Sequence, residues 1–259
     1  MKISVDVSGL DVIAAKMRGL SDKKINVAVV ASLNQAARVG YESVRNEMGK
    51  VFDRPTPWVI GGAQYKKATS AKLEAQVDFD KWGNKTGVTV EKVLGAEITG
   101  GPRKYKRHEI AMQRAGILPN GYYIVPGEAA QLDQYGNMKG SEIVKIMSWF
   151  RAFGEQGYRA NTTDKRKAAL LRGTKKNNNL GFQYFAVIPG STKTHLHPGI
   201  YTKAITGFGS SIRPIMMFVK APNYRKRLDF YGIATREAEQ EIKRVLPIYL
   251  KQMLIEQGL

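Results

Sequence analysis

Between residues 22 and 49 the apolar side chains recur at helical spacing. Ile25, Val29, Leu33, Ala36, Ala37 and Val44 follow it, and Lys24, Asn34, Arg38, Arg45 and Glu47 fill the other positions. Ser21-Asp22 offers a cap at the start, and Gly49, Pro55 and Pro57 stop the pattern. A helix this long must bury its apolar stripe against a second element. Its centre is rich in alanine (Ala31, Ala36, Ala37), which suits close packing on a sheet or on a neighbouring subunit. Val29, Leu33, Ala36 and Ala37 are its candidate packing face.

A second long helix is expected from about residue 229 to 257. Ile233, Ala238, Ile242, Val245, Tyr249, Met253 and Leu254 lie along its buried side, and Pro247 inside it should kink it. Between the two helices the grammar is mixed. Ile3, Val5 and Val7 mark a first strand, and Leu10, Ile13 and Met17 a short helix. Leu73, Ala75, Val77 and Phe79 alternate as a strand with one wet face, and Val88, Val90 and residues 93–98 read as another. A basic helix follows from 105 to about 115, then a short strand at 122–125 and an amphipathic helix on Ile143, Ile146, Met147 and Phe150. Residues 182–188 and 215–219 are further strands. Strands do not alternate regularly with helices, so a doubly wound parallel sheet is disfavoured. The expectation is a single α+β domain over 1–259. A mixed or antiparallel sheet is packed by a long N-terminal and a long C-terminal helix, with a basic, loop-rich insertion. Residues 100–180 are the candidate insertion, and 154–180, highly charged and poor in large apolar groups, are read as a mobile basic loop.

Charge is the compositional outlier. The 259 residues hold 41 Lys and Arg against 22 Asp and Glu, a formal net charge of +19. Self-repulsion at that charge is destabilising unless a polyanion or an acidic partner offsets it. The positive residues gather in three places: Arg103, Lys104, Lys106 and Arg107; then Lys165, Arg166, Lys167, Arg172, Lys175 and Lys176; then Arg225, Lys226 and Arg227. These are the candidate contacts to a polyanion or an acidic partner. Tyr105 and Tyr224 interleave the first and third, an arrangement suited to stacking on bases.

Chemistry is sparse. The chain has no cysteine, which removes disulfides, thiolate catalysis and cysteine-ligated metals. Of three histidines, His195 and His197 alone have metal-like spacing, and no nearby carboxylate completes a site. His108 lies among cations that disfavour its protonated form. No phosphate-binding glycine motif, nucleophile elbow or zinc-protease motif occurs, and the acidic residues are scattered. The expectation is no enzyme, no catalytic residue, no cofactor and no metal. The N-terminus carries no signal-peptide core and no apolar stretch is long enough to span a membrane, so synthesis in the cytoplasm and no membrane contact are expected.

The stretch from Asn26 to Ala37 is similar to the opening alanine-rich helix of phage minor tail proteins of the Z, or tail-completion, type. Arg244-Val245-Leu246-Pro247-Ile248-Tyr249-Leu250 resembles their closing helix. The runs 121–127, 132–138 and 197–201 resemble segments of prophage proteins of this sort. The resemblance is clearest at the two end helices. It implies a structural virion protein at the head-proximal end of a long tail, a tail-completion or neck component required for head–tail joining. It further implies a homo-oligomeric ring with neighbouring tail and neck proteins and non-specific contact with channel DNA. No catalytic residue carries over. The rival readings are a non-specific nucleic-acid-binding protein and a metal-dependent nuclease.

Overall fold

A computed structural model describes residues 22–81, 87–154, 159–173, 181–191, 194–206 and 209–256. The strand expected at Ile3, Val5 and Val7 and the helix of Leu10, Ile13 and Met17 lie outside the described residues, as do Lys175 and Lys176. The chain is α+β, with long helices near both ends and antiparallel sheets between them. It forms two compact units rather than the single domain expected. One combines Met1–Gly100 with Arg225–Leu259, and the other is Gly101–Tyr224.

In the first unit, helix α1 (Asp22–Val51) lies along helix α7 (Phe230–Ile255). The two run in opposite chain directions: Gln35 donates to Glu241 at 3.2 Å, and Gly40, further along α1, faces Ala234 and Ala238, earlier on α7. Val29, Leu33, Ala36 and Ala37 are all buried, together with Ala234, Ala238, Ile242 and Leu246. The two backbones come close at Gly40. A Cβ there would stand 2.8 Å from the carbonyl oxygen of Ala234, so no larger residue fits without movement.

Thr56 accepts from the Val59 amide at 3.3 Å and starts the short helix α2 (Pro57–Gly61). Strands β1 (Ala63–Lys66) and β2 (Gln76–Phe79) then pair antiparallel, with Ala63 opposite Phe79. The strand expected from Leu73 onward is therefore shorter, beginning at Gln76. Asn34 on α1 ties down the chain after β1 with two bonds to the Ala68 backbone, 3.2 and 2.7 Å. Phe79 stacks on Phe230 with ring centres 4.0 Å apart.

The strand expected around Val88 to Ile98 is instead helix α3 (Val90–Thr99). Thr89 caps it by accepting from the Lys92 amide at 3.4 Å. Val90, Leu94, Glu97 and Ile98 are its buried residues, one or two turns apart. That helical spacing outweighs the strand preference of its β-branched residues. Gly100, at φ 78°, ends the helix in a conformation that favours glycine.

In the second unit, β3 (Gly101–Pro102) pairs with β8 (Asn223–Tyr224). Its main sheet is antiparallel and four-stranded. The order is β4 (Tyr122–Pro126), β7 (Gly209–Lys220), β6 (Gly199–Thr206) and β5 (Phe182–Val187). The insertion extends to Tyr224, beyond the expected residue 180, because β5 finds its partner only in β6, and β4 only in β7. Pro214 sits inside the central strand β7 and has no amide to donate. The β6–β7 register shifts beside it, between Ile200 and Tyr201, as bulges permit. The Pro214 and Ile215 carbonyls instead accept from Ala129 and Gly127, at 2.9 and 2.8 Å.

Helices α4 (Arg107–Arg114) and α5 (Gly140–Trp149) share a core with this sheet, through Met112, Ile146, Ile124, Ile200 and Met216. The stretch 154–180, expected as a loop, contains helix α6 (Asp164–Arg172). Thr163 caps it by accepting from the Arg166 amide at 3.3 Å. None of its residues is fully buried, which is why its composition reads as unstructured.

Candidate functional site

The charges within the three basic clusters are not equivalent. In the first, Arg103 turns inward. Its guanidinium makes two parallel bonds to the Glu109 carboxylate, 2.8 and 2.6 Å, and a third to the Ile124 carbonyl at 3.3 Å. It lies 4.7 Å from the centre of the Tyr123 ring. Glu109 has no exposed surface, and its oxygens also accept from the Ile124 and Lys106 amides at 2.7 and 2.6 Å. Burial pushes the Glu109 carboxyl up, but Arg103 and the two amides together hold it below the ordinary carboxylate range. Arg103 is thus a structural residue and not the free polyanion contact expected. Tyr105 is committed too. It stacks on Tyr123 at 4.5 Å, and its hydroxyl accepts from the Gly121 amide at 3.0 Å, so it is no open platform for a base. Lys104, Lys106 and Arg107 remain exposed.

Beside this pair, His108 is pushed down to about 4. Burial is the first cause and Lys106 the second, with Glu109 opposing them. The ring is neutral at neutral pH. The sequence pointed to the neighbouring cations; it did not reveal the burial.

The third cluster divides the same way. Arg227 makes a bidentate pair with Glu97, 2.7 and 2.8 Å, and its guanidinium lies 5.7 Å from the Phe52 ring centre. The backbone amides of Arg227 and Leu228 also donate to the Glu97 carbonyl, at 2.8 and 3.0 Å. Arg227 is therefore paired with an acid while its side chain stays about half exposed. Lys226 pairs with Asp229 at 2.8 Å, with both side chains about half exposed. Arg225 is exposed. In the middle cluster Lys165, Arg166 and Arg172 are exposed on α6, whereas Lys167 places its ammonium 5.4 Å from the centre of the Trp149 ring.

Sequence reading missed Glu109 and Glu97, the anchors of these arginines. One signal was available: Glu109 stands three residues after Lys106, where a glutamate commonly reaches back to the first amides of a helix. Nothing local marks Glu97, whose partner is 130 residues away.

His195 and His197 lie in a bend before β6, not on a strand, and both are exposed. Among the described residues, no group of three or more His, Cys, Asp and Glu side chains comes together as a metal site. Among the same residues, no helix is long and apolar enough to cross a membrane. Comparison with known proteins finds no matching family model, no matching curated protein and no matching solved structure.

Proposed function

We propose that this chain is a non-catalytic structural protein of a tailed-phage virion, a tail-completion or neck component that joins tail to head as part of a homo-oligomeric ring. The observation that carries the reading is the sorting of its basic residues. Arg103 turns inward to Glu109, while Lys104, Lys106, Arg107, Lys165, Arg166, Arg172 and Arg225 stay exposed and Arg227 is half exposed beside its partner Glu97. Exposed charge of one sign on a chain of +19 fits an acidic neighbour, whether a tail or neck protein or DNA in a channel. The resemblance of both end helices to the tail-completion type supplies the particle. Those same two helices pack along one another in the first unit.

Complementation tests it. Particles grown with Lys165→Glu and Arg166→Glu together should contain separate heads and tails when counted by electron microscopy. Normal numbers of joined, DNA-filled particles from a null allele of this chain would overturn the reading.

A further inference from the structure

A cleft in the second unit is lined by both aromatic rings and cations. It lies between α5, α6 and β5 and encloses about 530 Å³. Phe182 and Tyr184, two apart on β5, share one face of the strand and meet edge to face at 5.5 Å. Buried Trp149 fixes both, at 6.3 Å from Phe182 and 5.6 Å from Tyr184. Lys145, Arg159 and Arg166 stand at the rim, and no carboxylate lines the cleft. Among the described residues, Glu142 on α5 is buried and accepts from the Gln131 amide, and Asp164 on α6 pairs with Arg151.

We propose that this cleft binds single-stranded nucleic acid, taking one or two nucleotides with a base against Tyr184, which Phe182 and Trp149 hold in place, and phosphates on Lys145, Arg159 and Arg166. Three features favour that occupant. The rings are held by mutual contact before any ligand arrives, so little ordering is needed on binding. Aromatic faces accept every base, and cations beside them match the phosphate that accompanies each base. The enclosed volume suits isolated nucleotides, whereas a duplex keeps its bases stacked within the helix and out of reach of the rings. The inference stands apart from the virion assignment and concerns one cleft, not the general surface charge.

The test is fluorescence anisotropy of a labelled eight-residue oligothymidylate with the full chain at low salt. Saturable binding that weakens with added salt is expected. Tyr184→Leu should weaken it roughly tenfold or more, and Tyr184→Phe, which keeps the ring, should restore it. Lys145→Glu with Arg166→Glu changes exposed residues only, so it tests the phosphate contacts even if the aromatic variant fails to fold. That pair should also weaken binding at least tenfold. No saturable binding by the parent chain would overturn the proposal. So would a matched duplex binding equally well with no effect of Tyr184→Leu, since that is surface charge alone. Displacement of the oligonucleotide by polyglutamate at equal charge concentration would assign the cleft to an acidic peptide instead.

Discussion

Arg103 and Glu109 meet through two parallel N–H···O bonds, 2.8 and 2.6 Å long, with the glutamate side chain wholly buried and the arginine side chain 15% exposed. The geometry saturates the acid: both oxygens accept from arginine, and each also accepts a backbone amide. Removing the arginine alone leaves a buried carboxylate with two amides and no counter-charge. Arg103→Met should therefore destabilise the second unit by about 3–5 kcal/mol, far more than a surface pair is worth. Urea unfolding followed by circular dichroism measures it. A loss under 1 kcal/mol would mean that water or another cation replaces the guanidinium.

The same locality should make the unit acid-sensitive in two steps. His108 titrates near 4 in the folded chain against an ordinary value of 6.5. Between those values the unfolded chain binds a proton that the folded one refuses, so stability falls as pH drops through this window. The loss is on the order of 2 kcal/mol once partial exposure of the ring is allowed for. Glu109, held below its ordinary 4.5, adds a second loss as pH falls further and its bonds to Arg103 are broken. His108→Asn should flatten the first window and leave the second. Unfolding free energies at pH 7, 5.5, 4.5 and about 3 separate the two, since only the last falls below the Glu109 window's upper edge, and an unchanged slope in the variant between pH 7 and 4.5 would place the first titration elsewhere.

The long helices were legible because each repeats one signal over many turns: Val29, Leu33, Ala36 and Val44 on α1, and Ala238, Ile242 and Val245 on α7, are all buried. Strand β4 was legible as an apolar run closed by Pro126-Gly127. Helix α3 was not, because Val90, Val93 and Ile98 favour strands one by one and only their spacing is helical. Helix α6 was missed because it buries no side chain fully, and burial is what periodicity reports. The extent of the insertion depends on β6 and β7 completing the sheet, a long-range fact that no local pattern carries. The inward turn of Arg103 and the pairing of Arg227 were not legible for a related reason. A run of positive residues shows where charge is dense, not which member finds a buried acid.

Gly40 is a point of close approach in the α1–α7 seam and a place where a helix accepts glycine despite its entropic cost. A methyl group there would meet the Ala234 carbonyl at 2.8 Å and the Ala238 Cβ at 3.5 Å. Gly40→Val should cost about 1–3 kcal/mol by forcing the helices apart, and Gly40→Ala less than that. At Gly49 a Cβ would meet nothing within 4 Å, so Gly49→Ala should be neutral or slightly stabilising. Thermal unfolding of the three variants ranks them. Equal melting temperatures for Gly40→Val and the parent chain would show that the seam is looser than this contact requires.

Neighbouring arginines of the third cluster should respond in opposite ways. Arg225 is exposed, and Arg225→Glu should change stability by no more than about 0.5 kcal/mol. Arg227 lies two residues on, with a side chain about half exposed (52%), yet its pair with Glu97 is bidentate and the acid is 11% exposed. Exposure screens the arginine, so the pair is worth less than that of Arg103; its loss still leaves a buried carboxylate short of two donors. Arg227→Met should cost about 1.5–3 kcal/mol, with Glu97→Gln and Arg227→Met together closer to the parent than the sum of the single changes. Arg227→Glu should be worse than Arg227→Met, because two carboxylates would then face each other. A double-mutant cycle from urea unfolding at constant salt reads the coupling directly. Independent, additive effects would mean that Arg227 is held in place by its backbone bonds to Glu97 alone and that its charge belongs with the exposed set.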